Sequence, residues 1–133
     1  MAEALLSHRM RLLGRSTTVS SAGLAALVGS PAAPLAISLV GERGLDLTSH
    51  RARQLTAALV CAADLVLVME KAQERAVEEI APEGRGRVHR LGRFGGFDVP
   101  DPFRQGRAAF ERALALIDRG LSDFEKAFWS GTP

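Results

Sequence analysis

Ala63-Asp64-Leu65-Val66-Leu67-Val68-Met69-Glu70 decides the fold. Its centre, residues 65–69, is an unbroken apolar run. A run this short and continuous predicts a strand buried on both faces, as in a parallel sheet. On its C-terminal side, residues 71–80 predict a helix, ended by Pro82 and Gly84. Residues 87–91 then predict a second strand, which stops because Gly92, Gly95 and Gly96 make the next segment a loop. That loop ends in Asp98-Val99-Pro100-Asp101-Pro102-Phe103. A long helix follows over 104–129, with Phe110, Leu114, Ile117, Leu121 and Phe124 near one face.

On the N-terminal side, Thr56 and Thr48 are candidate helix caps, the latter for a short helix through His50 and Arg53. Residues 35–43 predict a helix closed by Gly44. Residues 24–33 form a loop carrying Gly29 and Pro31, and 16–21 predict a third strand. Residues 1–13 predict a helix with Leu5, Leu6, Met10 and Leu13 on one face and Gly14 as its stop. Helices that alternate with strands indicate a single α/β domain with a parallel sheet. The expected domain covers 1–128, with 129–133 as a C-terminal tail. Three strands are few for such a sheet.

Composition narrows the function. With 17 basic and 15 acidic residues among 133, the net charge is only +2, and the arginines are scattered rather than clustered. That does not fit a nucleic-acid partner. No apolar run is long enough to span a bilayer, and residues 1–13 lack the pattern of a signal peptide, so no membrane partner and a cytoplasmic location are expected. Cys61 is the sole cysteine, which excludes an internal disulfide and a multi-cysteine zinc site. It lies in the apolar stretch Leu59-Val60-Cys61-Ala62 and is expected to be buried. His8 reads as a helix-surface residue and His89 as a strand residue. Neither has a neighbouring acidic or cysteine cluster, so no metal is expected. The Gly92–Gly96 loop lacks a Walker lysine, and no cofactor is expected.

Four motifs in order carry more information. They are Val19-Ser20-Ser21-Ala22-Gly23, His50-Arg51-Ala52-Arg53-Gln54-Leu55, the 63–70 stretch above, and Asp101-Pro102-Phe103. Their sequence and spacing resemble the low-molecular-weight protein tyrosine phosphatases, from Met1 to about Phe124. The opening Met1-Ala2-Glu3-Ala4 resembles the segment that follows the family's phosphate loop. The resemblance implies a three-layer α/β fold, a twisted parallel sheet flanked by helices. It also implies hydrolysis of phosphotyrosine through a phosphocysteine intermediate, with a phosphotyrosine protein, such as a bacterial tyrosine kinase, as partner.

In that family a Cys-x(5)-Arg loop cradles the phosphate and lowers the cysteine pKa, so that a thiolate attacks phosphorus. No such spacing occurs here; the sixth residue after Cys61 is Leu67. The expectations are that Met1 is an internal methionine of a longer enzyme, that the central first strand is missing, and that the chain is catalytically silent and unstable alone. The resemblance makes Asp101 the general acid; the local alternative is a plain Asp-Pro turn. It makes Ser21 and His50 supports of the phosphate loop, against a strand-end turn and an exposed helix start. Leu27 and Phe103 become walls of the substrate cleft, with Phe103 where the family usually has Tyr. A loop leucine docked into the core is the alternative for Leu27. Two other functions stay open. One is a catalytically dead scaffold or regulatory binding protein. The other is an arsenate reductase-like protein, which would need more cysteines than Cys61.

Overall fold

The computed structural model describes residues 1–129. Its centre is a parallel pair of strands, β1 (Val66–Val68) and β2 (Val88–Arg90), in register Val66 to Val88 and Val68 to Arg90. They are joined by helix α4 (Lys71–Ile80) and a 3-10 turn at Pro82–Gly84. The other helices are α1 (Ala2–Leu12), α2 (Pro34–Gly41), α3 (Ala57–Ala62) and α5 (Arg107–Phe124). A π-helical turn, Glu125–Trp129, extends α5.

Period-two alternation along β1 produces the layers. Val66 and Val68 turn toward α3 and α4, packing with Val60, Val77, Ala81 and Val88. Leu67 and Met69 turn the other way, into a larger core built from α1, α2, α5, Leu91 and Val99. Helices therefore cover both faces of a parallel sheet. Gly120 allows α5 to approach closely: a Cβ there would stand 2.6 Å from Leu91 Cγ and 2.9 Å from the Leu91 carbonyl oxygen. At the end of α5, Phe124 is fully buried and meets the rings of Phe94, Phe128 and Trp129 at 5.0–6.0 Å. Trp129, read from sequence as the start of a tail, thus packs on the core; residues 130–133 lie outside the described residues.

Several sequence expectations need correction. Residues 16–22 form no strand. They make no backbone–backbone hydrogen bond among the described residues, and a strand exists only through its pairing. Strand β1 is covered on both faces but only partly buried, since Leu65 is exposed and Val66 and Leu67 are half-buried. Val66 N–H donates to the Arg87 carbonyl and Leu91 N–H to the Val68 carbonyl. The backbone groups of Leu67 therefore point to the other edge, which has no strand among the described residues. Thr48 starts no helix, because Asp46 Oδ1 accepts both its N–H (2.8 Å) and its hydroxyl (2.6 Å) in a tight turn. Cys61 is exposed, not buried. In the six-residue α3 it is Val60 that faces the core, and the next position is rotated by about 100° toward solvent.

Candidate active site

Ser21 and His50, 29 positions apart in the sequence, meet on one carboxylate. Ser21 Oγ donates to Glu3 Oε1 at 3.2 Å, and His50 Nδ1 lies 3.4 Å from Glu3 Oε2. The folding of three segments explains the meeting. Glu3 sits in the first turn of α1, where a carboxylate suits the positive end of the helix dipole. Residues 21–23 are held against 53–55 by Gly23 N–H to the Arg53 carbonyl (2.9 Å), Leu55 N–H to the Gly23 carbonyl (2.8 Å) and Arg53 Nε to the Ser21 carbonyl (2.9 Å). His50 N–H is bonded to the Leu47 carbonyl at 3.2 Å. A cavity of about 260 Å³ opens beside the pair, lined by Glu3, Ser7, Arg11, Asp46 and His50 among others; Asp101 and Phe103 are not part of its wall.

Asp101 is exposed on the loop between β2 and α5. Its Oδ1 accepts from Phe103 N–H at 3.0 Å, and its carbonyl accepts from Gln105 Nε2 at 3.2 Å. The turn reading and the acid reading are therefore compatible, because one oxygen shapes the turn while Oδ2 can carry a proton. Phe103 is exposed, and the Arg104 guanidinium lies over its ring at 5.2 Å. Arg104 has φ +63°, uncommon for a residue with a side chain. Leu27 lies on the 24–29 loop, exposed and outside both core clusters.

The loop that carries Asp101 is anchored at its upstream end. Val99 is buried and its N–H donates to the Met69 carbonyl at 2.9 Å. Asp98 Oδ1 accepts from Arg90 Nη1 at 2.9 Å and from Lys71 N–H at 3.1 Å. The Arg90 hydrogen bond, assisted by the Lys71 amide and both positive charges, holds the Asp98 carboxyl below its ordinary value. The start of α4 is itself fixed by a capping box between Glu70 and Gln73.

The family model for low molecular weight phosphotyrosine protein phosphatases matches residues 1–129. The chain belongs to that family. This phosphatase chain is 49% identical over 121 residues to the Probable low molecular weight protein-tyrosine-phosphatase EpsP of Ralstonia solanacearum, covering 91% of this chain and 81% of that protein. It is 44% identical to the low molecular weight protein-tyrosine-phosphatase Wzb of Salmonella typhimurium, covering 88% and 81%. The solved structure of Vibrio vulnificus Wzb in complex with benzylphosphonate superposes with a TM-score of 0.86 at 41% identity, covering 96% of this phosphatase chain and 88% of that one. Among the described residues no helix is long and apolar enough to cross a membrane.

Two residues of this candidate site carry no motif in the sequence. Glu3 is signalled only by its place in the Met1–Ala4 segment. Asp98 offered only its nearness to Asp101, since its amide partner Lys71 is 27 residues away.

Proposed function

We propose that this chain carries the acid, the supporting network and part of the cleft wall of a phosphotyrosine hydrolase. The nucleophile in this reading is the thiolate of a Cys-x(5)-Arg loop, a spacing absent from the 133 residues. The thiolate attacks phosphorus and the bond from phosphorus to the phenolic oxygen breaks. The Asp101 carboxylic acid gives its proton to that oxygen. Water then attacks the phosphocysteine, Asp101 takes the water's proton, and phosphate leaves as the thiolate returns. Ser21 and His50, tied to Glu3, support the loop, and Leu27 and Phe103 flank the substrate ring.

The observation that carries this reading is the convergence of Ser21 and His50 on Glu3. Two motifs chosen for one role meet at the helix start that would follow the phosphate loop. Benzylphosphonate on the Vibrio relative supports an aryl phosphate as the substrate class. A phosphotyrosine protein, in particular a bacterial tyrosine kinase, is the proposed physiological partner, and the cytoplasm the proposed location.

The test has two arms. The 133-residue chain should hydrolyse a phosphotyrosine peptide no faster than background; turnover that vanishes in Cys61→Ser would demand a different nucleophile. In a form with a Cys-x(5)-Arg loop ahead of Met1, Asp101→Ala should slow turnover by roughly two to four orders of magnitude. The loss should shrink for substrates with a good leaving group.

A further inference from the structure

We infer that Asp98 is a positioning residue for the general acid, one that sets where the Asp101 carboxyl stands without touching substrate. The inference rests on the acid role proposed above for Asp101. One oxygen of Asp98 joins three parts of the sheet's edge. It takes a hydrogen bond from Arg90, the last residue of β2, and another from the backbone of Lys71, the first residue of α4, while its own backbone leads into the acid loop. The next residue, Val99, is buried and tied to Met69, which directly follows β1.

From that anchor the chain is stiff. The segment reads Asp98-Val99-Pro100-Asp101-Pro102. Each proline fixes its own φ near −65° and confines the residue before it to extended conformations. Val99 and Asp101 both precede proline, so few torsions between the anchor and the acid are free. A shift at Asp98 therefore passes to Asp101 instead of being absorbed. Downstream, the turn through Gln105 is held by bonds within residues 101–105 alone, Gln105 N–H to the Pro102 carbonyl (2.9 Å) and the two bonds to Asp101, and none of them reaches the sheet. Asp98 is the polar group that fixes the upstream end.

The test uses the chain as it stands and the form with a Cys-x(5)-Arg loop ahead of Met1. In the chain alone, Asp98→Ala should speed amide exchange at Val99 by about tenfold or more, while the β1–β2 amides keep their rates. In the active form, Asp98→Ala should slow hydrolysis of a poor-leaving-group aryl phosphate by about 10- to 100-fold, the cost of misplacing a catalytic group by roughly 1 Å. Asp98→Asn, which keeps the shape and one acceptor, should lose less, and Asp98→Glu should recover part of the rate. The deciding measurement is the double variant. In an Asp101→Ala background, Asp98→Ala should change turnover less than about twofold, because there is no acid left to position. Equal slowing in both backgrounds, or no slowing by Asp98→Ala in the parent, removes Asp98 from this role. Parental turnover in Asp101→Ala alone would instead overturn the acid assignment on which the role rests.

Discussion

Replacing Gly92 with alanine tests whether the loop that carries Asp101 depends on a close backbone contact. A Cβ at Gly92 would stand 2.0 Å from the Phe97 carbonyl oxygen and 2.8 Å from its carbon. The obstacle is backbone, so no rotamer change relieves it. The two sides of the loop must part by about 1 Å, an overpacking that costs about 1–3 kcal/mol. The hydrogen bond from Phe97 N–H to the Gly92 carbonyl, 3.1 Å, is stretched or lost for about another 1 kcal/mol. Against this, alanine restricts the unfolded chain and returns about 0.4–1 kcal/mol. The net expectation is a loss of about 2 kcal/mol in a urea melt. Because Phe97 immediately precedes Asp98, the amide signals of residues 97–103 should also move. Gly41→Ala is the control, since a Cβ there meets nothing within 4 Å. It should be neutral or stabilising by up to about 1 kcal/mol. A Gly92→Ala protein within about 0.5 kcal/mol of its parent, with unchanged signals from 97 to 103, would refute the close-contact argument.

Phe124→Ala removes a fully buried ring with three aromatic neighbours and should cost about 3–5 kcal/mol by chemical denaturation; a loss under about 1 kcal/mol would mean the ring cluster does not hold α5 in place. Asp98 titrates below its ordinary 3.8 in the fold, so its anchoring is present above that value and is lost as pH falls through its lowered folded value. Its carboxyl carbon, followed by NMR, should reach its midpoint below 3.8, with the Val99 amide shifting alongside; a midpoint at or above 3.8 contradicts the clamp. The exposed Cys61 thiol should react with one equivalent of a disulfide reagent without denaturant, and a thiol that reacts only on unfolding would restore the buried reading.

The sequence was most readable where a local chemical signal ends an element. Helix α4 runs over the predicted 71–80 because Glu70 and Gln73 cap its start and Pro82 follows its end. Thr56 caps α3 as expected, accepting from Leu59 N–H at 3.3 Å. The 65–69 and 87–91 runs became β1 and β2, each trimmed to three residues. Readings failed where the answer depended on a distant partner. Residues 16–21 have strand composition but no neighbour to pair with among the described residues. Thr48 has a cap's side chain, but Asp46 takes both its donors. An apolar window places Cys61 in a helix without saying which way it faces. For the site, motif order brought Ser21 and His50 to one place and put Asp101 on an exposed loop. The carboxylates beside these groups, Glu3 and Asp98, make contacts 8 to 47 positions away, which no local pattern records.

The division of the interior into two cores has a consequence for the order of assembly. All the buried members of the smaller core, Val60, Val68, Val77, Ala81 and Val88, come from one short stretch of chain, whereas the larger core joins Leu5 to Phe124. Closing a loop costs entropy that rises with its length, and local contacts form first. On a ribosome the strand–helix–strand unit can close once residue 90 has emerged. Helices α1 and α2 would by then have been exposed for most of synthesis, waiting for the α5 face that covers them. Pulse-labelled hydrogen exchange during refolding should protect the amides of α4 and β2 before those of α1; simultaneous protection would show that the two cores form as one.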